Sequence, residues 1–218
     1  MIFTGDQYIP CGWAKTCAIV ASGSRLIQQK LGGLIDTFDV VMRFNHAPVT
    51  GFEDHVGSKT SIRIVSENMF IRDPEPDIDE PDKTFPGLNT RFFTELSDMD
   101  IFVKGLPNPN LQEGKWSTLP NHTGCFKNIP YENMFFISRQ FENINQSKLG
   151  KPPTCGYIGA QIAKQVFEDV HLFGFTFYKE NWSDKHYWEE MQEYDQQRHH
   201  NFSAEESDII NDPELTLH

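Results

Sequence analysis

The stretch Ala18–Val65, AIVASGSRLIQQKLGGLIDTFDVVMRFNHAPVTGFEDHVGSKTSIRIV, decides the fold of this chain. Its β-branched apolar runs, its glycine turn at Gly23 and its Gly/Pro-marked connection predict a strand, a turn, a helix, a second strand ending at Asn45, and a third strand. Ligands of open α/β proteins bind where parallel strands end, beside the turns that lead into helices. The stretch therefore predicts the nucleotide pocket of an α/β protein.

The same alternation of short apolar runs with helical or turn-rich segments continues along the chain. It is typical of a mostly parallel, Rossmann-like sheet flanked by helices, and 218 residues suit a single domain covering 1–218. The predicted strands are Cys17–Ala21, Val40–Phe44, Ser61–Val65, Ile101–Val103, Met134–Ile137 and His171–Phe175. The predicted helices are Arg25–Leu31, Gly156–Phe167, Lys185–Arg198 and Ser203–Ile210, the last with a capping box of Ser203 and Glu206. Irregular loops are predicted over Ile71–Pro86 and Leu106–Pro130.

Charge and composition exclude several classes of partner. With 19 basic and 31 acidic residues, the net charge is −12 and the pI is near 5.0, which argues against unselective binding to nucleic acid or to anionic membranes. An anionic substrate therefore needs a local basic or amide-rich pocket. No run is apolar enough to span a membrane and no signal-like core follows Met1, so the chain as written is expected to be soluble. Because no CxxC pair exists, reduced thiols are expected for Cys11, Cys17, Cys125 and Cys155.

The first turn of the chain offers a site for an anion. After the first strand, Ser22, Gly23 and Ser24 lead into a helix, so free backbone amides are expected to face the carboxyl edge of the sheet, where phosphate binds well. The alternative is that Gly23 only permits a tight turn. Asn45, at the end of the second strand, adds an amide suited to a sugar or base, although an Asn ahead of Pro48 also suits a simple turn.

A second segment, PPTCGYIGAQIAKQVFEDVHLFGF over Pro152–Phe175, repeats this arrangement. The Thr154 hydroxyl and the opening amides of the following helix are suited to an anion, or Thr154 serves only as the helix cap. The sequences HYWEE, from His186, and HHNFSAE, from His199, follow.

These segments resemble the four motifs of animal-type sialyltransferases, in the order of that family. CAIVASGSRL (Cys17–Leu26) with IDTFDVVMRFNHAPVTGFEDHVGSKT (Ile35–Thr60) is similar to the long sialyl motif, and Pro153–Phe175 is similar to the short one. HYWE at His186 resembles the third motif, and His200 with Glu205 resembles the very short motif. The resemblance implies a single α/β domain that takes CMP-sialic acid as donor and inverts the anomeric centre without a metal.

The resemblance also assigns roles to single residues. Asn45 matches a residue that contacts the nucleotide, and Ser22 stands where the family usually has a second such Asn. His200 matches the catalytic base, while Glu205 is expected to orient or stabilise. The resemblance places Thr154, Cys155 and Gly156 around the donor, and His186 and Tyr187 beside the phosphate, where His186 is the second catalytic residue. With the first turn, the predicted donor-binding residues are Ser22, Gly23, Ser24, Asn45, Thr154, Cys155, Gly156 and Tyr187. Histidine suits proton removal near neutral pH because its ordinary pKa is about 6.5.

One departure from the family concerns a disulfide. The resemblance implies a bridge from Cys17 to a cysteine of the short motif, but Phe167 stands at that second position, so the bridge cannot form. This favours a cytoplasmic or other non-Golgi setting, with the Golgi lumen as the alternative if an anchor has been removed.

The sequence thus predicts a metal-independent glycosyltransferase with a CMP-sugar donor, a glycan acceptor and no cofactor. The two Asp-x-Asp segments, at Asp77 and Asp98, lie in a loop and before a strand, away from the expected nucleotide. Three alternatives stay open: a CMP-Kdo-dependent transferase, a catalytically silent nucleotide- or glycan-binding module of this fold, and a Rossmann-like methyltransferase or dehydrogenase. The third leaves the His186 and His200 motifs unexplained.

Overall fold

The computed structural model describes residues 2–3, 14–45, 47–66, 100–104, 134–177, 186–188 and 199–218. Within these ranges eight strands form one sheet, with the order β1-β6-β5-β4-β3-β2-β7-β8, and every neighbouring pair is parallel. The strands are β1 (Ile2–Phe3), β2 (Thr16–Val20), β3 (Val40–Phe44), β4 (Ile62–Ser66), β5 (Asp100–Lys104), β6 (Met134–Ile137), β7 (Asp169–Phe173) and β8 (Leu215–Leu217). The α/β class and all six predicted strands are confirmed, with shifts of at most two residues.

The helices lie in the connections between these strands. They are a 3-10 helix (Ser24–Gln28), α1 (Gly32–Ile35), α2 (Glu53–Val56), α3 (Arg139–Leu149), α4 (Cys155–Val166) and α5 (Phe202–Ile210). Among the helices of the described ranges, none has the length and apolar character that a membrane crossing requires.

One face of the sheet packs against α4. A Cβ added to Gly159 would lie 2.7 Å from the Phe44 ring and 3.1 Å from the Met42 sulfur. The helix therefore lies closer to β3 than any residue with a side chain permits. The core on this face also contains Cys17, Ile19, Ile62, Ile64, Ile137, Leu149, Tyr157, Ile158, Ile162, Phe167 and Leu172.

The opposite face is covered by the short helices of the first connections. Its core contains Ala18, Val20, Leu26, Ile35, Phe38, Val41, Val56, Phe173 and Tyr187. The prediction of one helix over Arg25–Leu31 is wrong, since the 3-10 helix ends at Gln28 and α1 begins at Gly32. A Cβ at Gly32 would fall 1.9 Å from the Glu53 carbonyl oxygen, so the close packing of this glycine on α2 divides the connection into two short turns.

Two further helix predictions need correction. The capping box of Ser203 and Glu206 is wrong, because α5 begins at Phe202 and the Asn201 side chain accepts the Ala204 amide as its cap. In the predicted helix Lys185–Arg198, residues 186–188 form a turn instead, and the remainder lies outside the described residues, as do the predicted loops. Helix α3 was not predicted; Ser138 caps it by accepting the Phe141 amide.

Cys17 and Phe167 lie in the same apolar core, at 0% and 7% exposure. Burial raises the pKa of the Cys17 thiol far above its ordinary value, so the thiol stays protonated. Both Cys17 and Cys155 are free thiols. A phenyl ring thus occupies core volume at the position where the family resemblance implies half of a disulfide.

Candidate active site

The residues predicted for the site gather at the carboxyl edge of the sheet. Ser22 follows β2, Asn45 follows β3, and the N-terminus of α4 lies beside them, with the Cys155 sulfur 3.9 Å from Asn45 Oδ1. The loop before α5 contributes His200 from the far end of the chain. This convergence places four separate segments around one edge, as expected for ligand sites in parallel α/β folds.

Asn45 adopts a left-handed backbone conformation, with φ of 44°. Its amide donates to Ile64 O, and its Oδ1 accepts the Ser66 amide at 3.0 Å. The buried Arg63 guanidinium donates to the Asn45 carbonyl at 2.8 Å and to Ala47 O at 3.1 Å, which stabilises this turn. Since Oδ1 is occupied, the side-chain Nδ2 group is the part of Asn45 left to donate to a ligand.

The first turn is more closed than predicted. The Gly23 amide donates to Gly174 O at 3.1 Å, so it is not a free donor for phosphate, and the prediction of free amides is wrong at this residue. A Cβ at Gly23 would lie 2.4 Å from the same oxygen, which explains the glycine. The Ser22 carbonyl accepts the Tyr187 amide. Ser24 Oγ is buried and meets no hydrogen-bond partner among the described residues.

Thr154 caps α4 and binds Glu205. Its Oγ1 accepts the Tyr157 amide at 3.0 Å and donates to Glu205 Oε2 at 2.7 Å, while its backbone amide donates to Glu205 Oε1 at 2.7 Å. The hydroxyl proton and the Thr154 amide are therefore committed to a carboxyl group of the chain itself. The expectation that the Thr154 hydroxyl holds a ligand anion is not met in this arrangement, and capping is its observed role.

Glu205 is 2% exposed and lies in the first turn of α5. Burial raises its pKa to about 7, although the two bonds from Thr154 and the charge of Lys104 lower it. The carboxyl group thus ties the start of α5 to the start of α4, across 51 residues of sequence.

His200 has a defined tautomer. Its Nδ1 lies 2.8 Å from the Pro152 carbonyl oxygen, which only accepts, so Nδ1 carries the proton and Nε2 is left with a lone pair in the neutral ring. Burial lowers the pKa of His200, the bond to Pro152 raises it, and the charges of Lys104, His199 and Lys151 lower it further. A neutral imidazole with an available Nε2 is the form that a general base needs.

Tyr187 and His186 lie beside the first turn. Tyr187 is buried, and its hydroxyl donates to Pro48 O, so that proton is not directed at a ligand. Burial raises the pKa of Tyr187 to about 12. The His186 ring stacks on Trp188, with centroids 4.6 Å apart and planes 2° from parallel. Tyr187 therefore binds the loop after β3 to the loop after β7, and a stacked ring fixes the orientation of His186.

Cys155 and Gly156 open α4. Burial raises the pKa of the Cys155 thiol to about 11, so the thiol is protonated beside Asn45. A Cβ at Gly156 would lie 3.3 Å from the Phe175 ring, which makes this position tight for a larger residue. The start of α4 therefore packs closely against Asn45 at Cys155 and against Phe175 at Gly156.

Two residues of this edge, Arg63 and Lys104, are not among those that the sequence predicts for the site. Arg63 holds Asn45 in place, and Lys104 ends β5, where its charge lowers the pKa of Glu205 and of His200. Each had a signal in the sequence. Arg63 is a charged residue inside an apolar strand, and Lys104 follows the apolar run of β5, in the same way that Asn45 follows β3.

The fold and this edge define an open parallel α/β protein of the kind that binds its ligand where the strands end. The chain belongs to glycosyltransferase family 29, the sialyltransferases, whose sequence model matches residues 10–211.

Two named relatives illustrate the similarity. The rat protein named CMP-N-acetylneuraminate-beta-galactosamide-alpha-2,3-sialyltransferase 4 is 31% identical over 193 residues, which cover 81% of this chain and 55% of the relative. The human type 2 lactosamine alpha-2,3-sialyltransferase is 30% identical over 225 residues, which cover 96% of this chain and 65% of the relative. The chain thus spans between about half and about two thirds of the length of these relatives.

Solved structures share the fold. Two crystal structures of a mammalian sialyltransferase match with TM-scores of 0.63 and 0.62, at 22% and 20% sequence identity. Each match covers 94% of this chain and 69% of the other. The second of these is a complex with Gal-beta-1-3GalNAc-ortho-nitrophenol.

Proposed function

We propose that this protein is an inverting sialyltransferase that moves sialic acid from CMP-sialic acid to a hydroxyl group of a glycan, with a galactoside as acceptor. One observation carries the proposal: the separate motifs meet at a single edge of the sheet. Cys155 lies beside Asn45, Thr154 is bonded to Glu205, and His200 is bonded to Pro152. Family membership supports the donor, and the words galactosamide and lactosamine in the names of the relatives support the acceptor.

In the proposed reaction, His200 is the general base. Its Nε2 removes the proton from the acceptor hydroxyl, whose oxygen forms a bond to the anomeric carbon of the sialic acid. The bond from that carbon to the phosphate oxygen breaks, and CMP leaves with the electron pair. Attack from the face opposite to CMP inverts the anomeric centre. The Nδ1 bond to Pro152 supports this role because it leaves Nε2 as the acceptor.

The leaving phosphate needs hydrogen-bond donors as its charge grows. We assign this part of the site to His186, whose ring orientation is held by Trp188, and to the Asn45 Nδ2 group. Tyr187 supports the phosphate side by linking the Pro48 and Ser22 backbones. A monophosphate leaving group carries less charge than a diphosphate, so the proposed reaction uses no metal and no cofactor.

Glu205 is proposed as a positioning residue. It contacts Thr154 through both carboxyl oxygens, and it lies five residues after His200 on the segment that enters α5. By fixing the start of α4 against the start of α5, it sets the distance between Cys155 beside the donor and the base.

The remaining parts of the proposal concern the whole chain. We infer one catalytic domain over 1–218 that binds a nucleotide-sugar donor and a glycan acceptor. The Phe167 ring in the core supports a non-Golgi setting in which the family disulfide is not required.

The decisive experiment compares the wild-type protein with His200→Ala. CMP release is measured from CMP-sialic acid, with and without Gal-beta-1-3GalNAc-ortho-nitrophenol, and CMP binding is measured by calorimetry. We expect acceptor-dependent CMP release by the wild type and a loss of about 100-fold or more in His200→Ala, with CMP affinity unchanged. His199→Ala, which changes the adjacent exposed histidine, is the matched control and should retain activity.

The outcomes separate the alternatives. Turnover of CMP-Kdo without turnover of CMP-sialic acid would assign the other CMP-linked acid as donor. CMP binding without turnover of either donor would identify a silent module of this fold. A wild-type protein that does not bind CMP would contradict the proposal as a whole.

A further inference from the structure

Lys104 occupies a position at the sheet edge that parallels that of Asn45. It is the last residue of β5 and pairs in register with Ser66 of β4, whose amide donates to Asn45 Oδ1 at 3.0 Å. The three residues thus follow one another across the carboxyl edge. Because neighbouring strands lie about 4.8 Å apart, the end of β5 is about 10 Å from the end of β3.

The strand register fixes the face on which the Lys104 side chain lies. Met42 pairs with Ile62, and Phe44 pairs with Ile64, and all four pack on the α4 face. Since side chains alternate along a strand and partners in register share a face, Ser66 and Lys104 lie on that face as well. This is the face on which α4 begins at Cys155.

Electrostatic effects agree with this placement. The Lys104 charge lowers the pKa of Cys155, of His200 and of Glu205, although burial is the largest cause of the shift in each case. Among the described residues, Lys104 is the cation that acts on all three groups, and its ammonium has no ion-pair or hydrogen-bond partner there. A cation of this kind meets the need for a local positive charge in a chain with net charge −12.

The geometry points to Lys104 as the residue that binds the carboxylate of the transferred sugar, an inference that rests on the proposed function. In sialic acid the carboxylate is attached to the anomeric carbon, which must lie between the leaving phosphate and the base. The proposed nucleotide contacts follow β2 and β3, whereas Lys104 lies two strands beyond β3, where its charge acts on His200 and Glu205. Lys104 is therefore positioned to contact the sugar that is attached to the nucleotide.

Binding of this carboxylate has a consequence for specificity. CMP-linked sugars without a carboxylate give the half-buried Lys104 ammonium no anionic partner on the donor, which is unfavourable. CMP itself lacks the carboxylate, so its affinity separates this contact from contacts to the phosphate.

The variants to compare are Lys104→Met, which keeps the length of the side chain and removes its charge, and Lys104→Arg, which keeps the charge. Lys30→Met, at an exposed lysine of the first connection, is the matched control.

We expect the affinity of Lys104→Met for CMP to stay within about 2-fold of the wild type. Its kcat/KM for CMP-sialic acid should fall by about 10- to 100-fold, as for the loss of a hydrogen bond between charged groups, and Lys104→Arg should recover most of that loss. The acid limb of the kcat/KM profile should move to higher pH in Lys104→Met, because one of the positive charges facing His200 is gone, while His199 and Lys151 remain. Lys30→Met should match the wild type.

Two results would overturn the inference. A parallel loss of CMP affinity and of transfer would show that Lys104 binds the phosphate, and unchanged transfer would show that it binds no part of the donor. Both results are read from a folded Lys104→Met variant, and circular dichroism and the melting temperature establish that it is folded. A wild-type protein that fails to bind CMP would overturn the proposed function, and this inference with it.

Discussion

Glu205 is a carboxyl group with 2% of its surface exposed, bonded to Thr154 through both of its oxygens. Burial raises its pKa from 4.5 to about 7. Between pH 4.5 and about pH 7, Glu205 holds a proton in the folded state that it has released in the unfolded state. Stability contributed by this group is therefore fully present below about pH 4.5 and is lost as the pH rises through about 7.

Glu205→Gln should remove this pH dependence, since a neutral amide can bond to Thr154 at every pH. We expect the free energy of unfolding of Glu205→Gln, relative to the wild type, to rise by about 1 to 3 kcal/mol between pH 5 and pH 8. Urea unfolding at several pH values measures this difference. Glu168→Gln, at an exposed carboxylate that pairs with the exposed Lys15, is the control and should run parallel to the wild type. A parallel curve for Glu205→Gln as well would contradict the prediction.

At the scale of elements, the position of α4 on the sheet sets the position of Cys155 and Thr154 at its start. The helix is close to β3 because Gly159 has no side chain, and a Cβ there would lie 2.7 Å from Phe44 and 3.1 Å from Met42. Both neighbours are core residues of the central strand, at 4% and 0% exposure. They have little room to yield, so a methyl group at Gly159 must move the helix.

Gly159→Ala should therefore destabilise the fold and weaken nucleotide binding together. We expect a loss of about 1 to 3 kcal/mol in the free energy of unfolding, which is typical of overpacking, and a weaker CMP affinity because Cys155 moves away from Asn45. Gly33→Ala is the matched control, since nothing lies within 4 Å of an added Cβ at that helical and exposed glycine. Chemical denaturation and CMP calorimetry measure both effects. Unchanged stability in Gly159→Ala would contradict the tight packing.

The elements also show where reasoning from sequence succeeds. The six predicted strands were found because buried parallel strands are short runs of β-branched and aromatic residues, as in VVMRF of β3. The first helix was placed wrongly because the packing of Gly32 against the Glu53 carbonyl is a contact between distant residues, which no local pattern shows. The start of α5 was misplaced because Asn201 and Ser203 are both good caps, and the tertiary bond from Asn201 Nδ2 to Leu149 O selects Asn201.

At the scale of the whole molecule, the motifs indicated which residues would meet but not how they would bond. Thr154 and Glu205 are 51 residues apart, and their bonding commits the Thr154 hydroxyl to the chain itself. Tyr187 and Pro48 are 139 residues apart, and their bond likewise occupies a hydroxyl that the sequence assigned to the donor. Such assignments follow residue types, whereas the partner of a hydroxyl group depends on the three-dimensional arrangement. Arg63 and Lys104 were missed for the same reason, because their roles depend on neighbouring strands.

Cys17 reports on opening of the whole molecule, because it lies at 0% exposure in β2, between β3 and β7. Burial raises the pKa of its thiol, and a thiol reagent needs both access and a thiolate. Labelling of Cys17 should therefore proceed only from the globally unfolded chain. A ligand that binds the folded state slows this labelling. CMP at 100 times its Kd should lower the labelling rate of Cys17 by about 100-fold, because it stabilises the folded state by about 2.7 kcal/mol.

Mass spectrometry of the labelled peptides separates Cys17 from the other three cysteines, and labelling in urea gives the intrinsic rate for each. Cys155, at the donor side of the sheet edge, should react faster than Cys17 through local opening, and CMP should also protect it. If CMP slowed the labelling of Cys155 and left Cys17 unaffected, β2 would open while the nucleotide site stayed formed. That result would contradict a single cooperative sheet in which the edge that binds CMP and the centre that buries Cys17 unfold together.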